Sequence, residues 1–323
     1  MPRVLSSTSA RLQRAPTHSG SWYDADPFIL NSQLSAWPAD ASSQLASART
    51  TAQEAHGHVR AIIAPHAGYS YSGPTAAYAY EPLAHRTDIK RVFLLGPSHH
   101  VYLKDKCALS TADAYETPLG NLDIDADVYE QLKRTNQFET MDMDVDEAEH
   151  SLEMHCPYIV QATAASRNAN AASSSTYPTL VPVMVGSLGA HAEARYGALF
   201  APYLDDPSNV FVISSDFCHW GSRFRYTPVP TGVADSKIYE SIEVLDKRGM
   251  RLIEAQDTRG FQAYLAETGN TICGRHPIGV LLNALDHASS KFGLHFTKYA
   301  QSGAVTSRGG SSVSYASALV VAA

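Results

Sequence analysis

Three short apolar runs in this chain each lead directly into a loop that carries histidine. The runs are residues 59–64, 91–95 and 209–214, and the loops are residues 65–69, 96–100 and 215–220. Their richness in Val, Ile, Leu and Phe is typical of strands covered on both faces of a sheet. Loops that leave the carboxyl ends of parallel strands meet in one crevice. The sequence therefore predicts an α/β fold with three loops gathered at one sheet edge.

Small or turn-forming residues surround His66 and His99 in the first two loops. Such neighbours let the backbone bend tightly and leave each ring directed into the crevice. A single histidine in this setting is more often structural than functional, but two such loops favour function. Neutral imidazole is the commonest metal ligand in proteins. We therefore expect a metal site at this edge of the sheet.

Asp216 and His219 stand three residues apart in the third loop. A single turn could orient the carboxylate beside the imidazole, and such a pair can hold a tautomer, move a proton or bind a metal. Alternatively, Asp216 caps backbone amides of the loop and His219 packs on Trp220. We favour the functional interpretation and keep the structural one open.

Cys273 lies just before a predicted helix, with Arg275 and His276 close behind it. The amides and dipole of a helix amino terminus lower the pKa of a thiol and favour thiolate, which is a soft metal ligand and a nucleophile. An inert buried thiol is the alternative. A further polar cluster at residues 149–155 either lines the same cleft or caps the following helix through Ser151.

The composition restricts the class of protein and its partners. A chain of 323 residues with 44% hydrophobic content can bury a large core, and we expect one domain over residues 1–323. The formal charge of −7 and the absence of a basic run argue against nucleic acid as a partner. Since no stretch approaches the roughly 20 apolar residues that span a bilayer, we expect no membrane insertion.

Cysteine use and low-complexity segments complete these expectations. Four cysteines without a CxxC spacing favour a reducing compartment, so we expect a cytoplasmic protein, with a nuclear location also open. Residues 1–16 are expected to be disordered. The Ala- and Ser-rich residues 163–177 are expected to form a surface loop.

Several long motifs in the chain resemble the Memo family. They are Ala-Ile-Ile-Ala-Pro-His-Ala-Gly-Tyr at 61–69, Leu-Gly-Pro-Ser-His-His at 95–100, Glu-His-Ser-Leu-Glu-Met-His at 149–155, Ser-Ser-Asp-Phe-Cys-His-Trp-Gly at 214–221 and Ile-Cys-Gly-Arg-His-Pro-Ile-Gly-Val-Leu-Leu at 272–282. His-Ser-Gly-Ser-Trp-Tyr at 18–23 and Ser-Ser-Val-Ser-Tyr-Ala at 311–316 extend the resemblance almost from end to end.

The resemblance implies a fold like that of the class III extradiol dioxygenases, which are non-haem iron enzymes. We accordingly expect a single α/β domain with a mixed central sheet flanked by helices. The resemblance also implies a metal site made by His66, His99 and Cys273. Asp216 and His219 would lie beside that site, and they would be the catalytic residues if the protein is an oxidoreductase.

The resemblance also bears on the metal and the partner. In the dioxygenases a carboxylate completes the two-histidine site, whereas this chain offers Cys273 there. Two imidazoles and a sulfur suit copper and can accept iron or zinc. We therefore expect copper first and iron second, with redox or metal-handling consequences in the cell-motility signalling that the family mediates. A non-catalytic adaptor for phosphotyrosine peptides or signalling proteins is one alternative, and a ring-cleaving dioxygenase that uses His219 as acid and base is another.

Overall fold

The computed structural model of this protein describes residues 11–47, 59–166 and 177–323. The strands are β1 (Gln13–Arg14), β2 (Val59–Ala64), β3 (Arg91–Pro97), β4 (Cys107–Ser110), β5 (Ala114–Tyr115), β6 (Leu122–Asp123), β7 (Phe138–Met141), β8 (Thr179–Val185), β9 (Asn209–Ser214), β10 (His219–Trp220), β11 (Phe292–Gln301) and β12 (Ser312–Ala322). The helices are α1 (Pro27–Ser47), α2 (Tyr69–Tyr80), α3 (Ala126–Arg134), α4 (Met143–Ala148), α5 (His150–Glu153), α6 (Cys156–Ala162), α7 (Ala190–Asp205), α8 (Ile238–Glu254), α9 (Thr258–Thr268) and α10 (Arg275–His287).

A mixed sheet of nine strands forms the centre of the molecule. Its order is β10-β12-β2-β9-β3-β8-β4-β7, and β11 pairs with β12. Strands β2, β9, β3 and β8 run parallel, while β12 and β4 pair antiparallel with β2 and β8. The three apolar runs are therefore neighbours in the sheet, in the order β2-β9-β3. Their carboxyl ends meet at one edge, as the sequence predicted.

Helices cover both faces of this sheet. In β2, Ile62 and Ala64 join a core with α1, α2 and α6, while Ala61 and Ile63 join a second core with α7 and α10. All four residues are fully buried. Side chains of a strand alternate between faces, so a strand buried on both sides needs an unbroken apolar run. The predicted α/β fold with a mixed sheet flanked by helices is confirmed.

Close packing of α10 against α7 fixes where α10 begins. A side chain at Gly197 of α7 would come within 2.4 Å of Asn283 of α10, and one at Gly279 within 2.5 Å of Glu193. Two glycines thus allow the helices to approach each other closely. As a result, the amino end of α10 lies against the end of β9.

The prediction of disorder was wrong for residues 11–16, while residues 1–10 lie outside the described residues. Strand β1 pairs with β5, and Arg14 is fully buried. Its guanidinium contacts Glu153 at 2.6 Å and Asp146 at 3.3 Å. A buried arginine requires such partners, and the two carboxylates come from residues more than a hundred positions away. This pairing orders the segment.

The expected loop at residues 163–177 is described only at its two ends, because residues 167–176 lie outside the described part. Thr163, Ser166 and Tyr177 are buried. Thr163 donates to the carbonyl of Ile159, and Ser166 to that of Arg86. Across the described ranges no helix is both long and apolar enough to span a bilayer.

Candidate metal centre

The loops after β2 and β3 and the start of α10 bring three predicted ligands together. His66 follows β2, His99 follows β3, and Cys273 precedes α10 by two residues. A side chain at the intervening Gly274 would come within 2.3 Å of Ser215 and 2.4 Å of the Ser214 carbonyl. Glycine therefore lets the helix start close enough to β9 for Cys273 to reach the histidines.

The three side chains form a compact donor set. The Sγ atom of Cys273 lies 3.3 Å from Nε2 of His66. One donor atom from each of His66, His99 and Cys273 lies within 4.8 Å of the others. The two imidazole rings are 5.3 Å apart at 76°. His66 is buried, while the His99 side chain is 27% exposed, so the site opens to solvent on the His99 side.

Hydrogen bonds fix the tautomer of His66. Nδ1 lies 2.6 Å from Oγ of Ser214, and that hydroxyl donates its own hydrogen to the Ser151 carbonyl at 2.7 Å. The hydroxyl must therefore accept from Nδ1–H, which leaves the lone pair on Nε2 beside Cys273. Burial and the neighbouring imidazoles lower the pKa of His66, so the ring is neutral, the form that binds metals.

A buried carboxylate orients His99. Glu149 accepts from the His99 backbone amide at 2.7 Å, from its Nδ1 at 2.8 Å and from the Ser151 amide at 2.9 Å. Burial opposes ionisation, but the hydrogen bonds and charge of His99 outweigh it and lower the pKa of Glu149 to about 2. The carboxylate thus holds Nδ1–H and leaves Nε2 of His99 for a cation.

The protonation of Cys273 differs from the sequence prediction. Burial and the nearby charge of Asp216 raise the pKa of the thiol, although the Gly274 amide and Arg275 act in the opposite direction. The dipole of a helix amino terminus is too weak to offset desolvation here. A coordinated cation deprotonates a thiol outright, so thiolate at this position would accompany metal binding.

A second possible donor set consists of His99, Glu149 and His150. The rings of His99 and His150 are stacked, with centroids 4.4 Å apart and planes at 21°. An imidazole binds an ion in the plane of its ring. Because the His99 and His150 planes are nearly parallel and separated, one ion cannot lie in both. Glu149 also already accepts three hydrogen bonds. The chemistry of the donors therefore favours the set with His66 and Cys273.

Asp216 and His219 lie beside the donor set but bond to separate partners. Oδ1 of Asp216 accepts from the His66 backbone amide at 2.9 Å, and burial raises the pKa of this carboxyl. The carboxylate thus caps the loop after β2, and not its own loop as in the alternative that the sequence left open. Nδ1 of His219 lies 2.9 Å from the Phe217 carbonyl and 3.2 Å from that of Thr271. Nδ1 therefore carries the hydrogen and Nε2 the lone pair.

Sequence reasoning missed the residues that orient the ligands. Ser214 ends β9, and nothing in its sequence setting distinguishes it from other strand-end serines. Glu149 belongs to the polar cluster at residues 149–155, whose position at the cleft we had left open. That cluster now lies at the site. The ring of its His150 also contacts Trp22, with centroids 4.6 Å apart and planes tilted by 39°, and Trp22 is 37% exposed.

Comparisons with known proteins show what this chain is similar to. A family model described as Memo-like protein matches residues 14–319. Protein MEMO1 from Xenopus laevis is 48% identical over 311 residues, which cover 95% of this chain and 97% of that protein. Protein MEMO1 from Homo sapiens is 47% identical over 306 residues, covering 94% and 95%. Protein memo-1 homolog from Caenorhabditis elegans is 42% identical over 311 residues, covering 95% and 82%. The solved structure of uncharacterized protein JW3007 from Escherichia coli K12 has a TM-score of 0.48 and 11% identity over 80% of this chain and 99% of that chain.

Proposed function

This chain belongs to the Memo family, and we propose that it binds a metal ion through His66, His99 and Cys273, with redox or metal-handling consequences in cell signalling. The observation that carries the proposal is the convergence of one donor atom from each of His66, His99 and Cys273 within 4.8 Å. Both Nδ1 atoms are already engaged, by Ser214 and Glu149. The second nitrogen of each ring and the sulfur of Cys273 are therefore the donors left for a cation.

Copper is our first choice for the ion, iron the second, and zinc a further possibility. Two imidazoles and a thiolate make a soft, nitrogen- and sulfur-rich set, whereas iron oxygenases use two histidines and a carboxylate. Bound copper would supply one-electron redox chemistry. The protein's own part is to orient the rings through Ser214 and Glu149 and to hold the His66 loop through Asp216. We propose that this takes place in the cytoplasm, with a nuclear location also open.

Metal analysis of matched variants tests the proposal. Stoichiometry and affinity for copper, iron and zinc would be measured for the wild type, His66→Ala and Cys273→Ser. The exposed His287 on α10 provides a control variant, His287→Ala. We expect both site variants to lose the ion and the control to retain it. Unchanged stoichiometry in the site variants would reject the ligand assignment.

A second candidate function is recognition of a phosphotyrosine peptide. The exposed Arg223 lies with its guanidinium carbon 4.5 Å from the centroid of the Phe224 ring, which in turn lies 5.2 Å from the His219 ring. Arg225 is also exposed on this loop. Guanidinium groups bind phosphate oxygens in a bidentate manner, and aromatic rings at the rim can contact a tyrosine ring. These observations support an anionic, aromatic peptide as a partner.

Peptide titration separates this candidate from the first. Phosphorylated and plain forms of one tyrosine peptide would be titrated into the wild type and Arg223→Gln. We expect binding of the phosphorylated form alone and weaker binding to the variant. Equal affinity for both forms, or none, would remove the candidate and leave metal binding unaffected.

Oxidative ring cleavage is a third candidate, with His219 as acid and base and Asp216 as the group that holds the site. The lone pair on Nε2 of His219 is the observation that supports it. The protein would be loaded with Fe(II) without oxygen and then given oxygen and a panel of catechols. Ring-opened product that disappears in His219→Gln is expected. Full iron loading without product would exclude this activity on that panel.

A further inference from the structure

A buried tyrosine and a buried histidine form a short hydrogen bond next to the metal centre. The hydroxyl of Tyr80, the last residue of α2, lies 2.7 Å from Nδ1 of His155, the residue before α6. Each of the two residues is only 1% exposed. His155 is the hydrogen-bond partner that the structure records for this hydroxyl, so Tyr80 donates and Nδ1 accepts. His155 then carries its own hydrogen on Nε2.

His155 is also an exception to the rule that buried polar atoms have partners. Within the described residues, its Nε2 atom is buried and has no hydrogen-bond partner. A buried unpaired donor is destabilising and calls for a functional or solvent-based explanation. The His155 ring lies 6.5 Å from the His66 ring and 6.1 Å from the Tyr80 ring. The His155 ring therefore lies beside the metal centre and contacts both the His66 ring and the Tyr80 ring.

We propose that Tyr80 and His155 are a redox-active pair. Tyr80 gives an electron to an oxidant that reacts at the metal centre, and its hydroxyl proton passes to His155. The inference rests on the proposed function, because it requires a redox-active ion at His66. Its chemical basis is that an oxidised phenol is a strong acid. A tyrosine is therefore oxidised easily at neutral pH only where a base can take its proton.

Neighbouring tyrosines show what distinguishes Tyr80. Tyr158 donates its hydroxyl hydrogen to the Gly73 carbonyl, and Tyr69 donates to the Met154 carbonyl, each at 2.7 Å. Both are fully buried like Tyr80, but a peptide carbonyl is far too weak a base to keep a phenol proton. Burial lowers the pKa of His155 to about 3, but its imidazole is still a far stronger base than a peptide carbonyl and can take the proton of an oxidised phenol. Within this group of three contacting tyrosines, proton acceptance by a side chain is confined to Tyr80.

The same rings lead from the centre toward the surface. Tyr80 stacks on Tyr158 with centroids 4.6 Å apart and planes at 13°. Tyr158 contacts Tyr69 at 5.3 Å, and Tyr69 contacts Trp37 at 6.3 Å. Trp37 is half-buried at the surface of this layer. Contacts between successive rings provide a path by which the electron lost from Tyr80 is restored from outside.

Hydrogen peroxide is the oxidant that the pair would serve. Peroxide takes two electrons and two solvent protons, its O–O bond breaks, and two waters form. Bound Cu(I) would supply one electron and would be oxidised to Cu(II), while Tyr80 supplies the other. The O–H bond of Tyr80 breaks and its proton goes to Nδ1 of His155. The pair is left as a neutral phenoxyl radical and an imidazolium, and atoms, electrons and charge balance.

Freeze-quenched electron paramagnetic resonance tests the inference. The full chain, produced with ring-deuterated tyrosine to identify the radical, is loaded with Cu(I) without oxygen, its copper content is measured, and hydrogen peroxide is added. We expect a tyrosyl signal in the wild type that is absent from Tyr80→Phe and His155→Gln and retained in Tyr129→Phe, which loses a buried hydroxyl that donates to the Pro182 carbonyl outside this path. Zinc-loaded protein, which cannot supply an electron, should give no radical.

Each outcome of this experiment either supports the inferred redox role of Tyr80 and His155 or overturns it. Because His155→Gln keeps Tyr80 itself, it gives an answer even if Tyr80→Phe fails to fold. A copper-loaded wild type that consumes peroxide without a tyrosyl radical would overturn the inference alone, as would a radical that persists in both pair variants or forms with zinc. A chain that binds no copper would refute the proposed function and this inference together.

Discussion

At the scale of single residues, the two histidines that we propose as ligands are held by chemically different partners. Ser214 presents a neutral hydroxyl to His66, whereas Glu149 presents a buried anion to His99. Partners of this kind orient the ring, and an anionic one also makes the imidazole more basic. The two ligands should therefore respond differently when their partners are removed.

Glu149→Gln should weaken metal binding by about 10- to 100-fold, the range found for partners of metal-bound histidines. Glutamine removes the buried charge. Its NH2 group also cannot accept hydrogen bonds from the N–H groups of His99 and Ser151. Ser214→Ala, which removes a neutral partner, should cost less. Affinity measured by competition with a chelator checks both variants, and Glu130→Gln on the exposed face of α3 is the control. Wild-type affinity in a folded Glu149→Gln protein would show that the carboxylate has no such role.

A pH dependence of stability should arise from Asp246. This carboxyl is fully buried and accepts from the Cys218 amide, Asn270 and Tyr299. Burial raises its pKa to about 6 against these hydrogen bonds. Because the folded protein prefers the protonated form, Asp246 lowers the free energy of unfolding as pH rises from about 4 to 6, by about 2 kcal/mol.

Urea unfolding at pH 4 and pH 7 tests this expectation. The quantity compared is the difference in free energy of unfolding between Asp246→Asn and the wild type at each pH. Asp246→Asn cannot ionise, so its stability relative to the wild type should rise across this interval by about 2 kcal/mol. The exposed Asp286→Asn variant should follow the wild type. A constant difference between Asp246→Asn and the wild type at both pH values would contradict the account.

At the scale of elements, the site depends on how closely α10 approaches the end of β9. Gly274→Ala would place a methyl group 2.3 Å from Cβ of Ser215 and 2.4 Å from the Ser214 carbonyl. Backbone cannot yield as a flexible side chain does, so the helix must move, at a cost of about 1–3 kcal/mol. Cys273 would move with it, and metal affinity should fall.

Thermal unfolding and copper titration together check the Gly274→Ala prediction. Gly303 offers a control, because a side chain there meets no atom within 4 Å, so Gly303→Ala should change neither quantity. Unchanged stability and affinity in Gly274→Ala would mean that the start of α10 tolerates displacement.

At the scale of the whole molecule, the elements that could be predicted are those whose signal is local. Apolar runs followed by turn-forming residues identified β2, β3 and β9, and their carboxyl ends do meet. The pairing of Arg14 with Glu153 could not be predicted, because it joins residues far apart in sequence. The same is true of Ser214 beneath His66. The thiol of Cys273 was misjudged because desolvation depends on the completed fold and not on the adjacent helix alone.

X-ray absorption at the copper edge tests the central claim most directly, since it reports the atoms bound to the ion. For the copper-loaded wild type we predict two imidazole nitrogens and one sulfur in the nearest shell, and for Cys273→Ser a shell without sulfur. A wild-type spectrum that contains nitrogen and oxygen alone, or a sulfur contribution that persists in Cys273→Ser, would contradict the assignment of His66, His99 and Cys273 as the metal ligands.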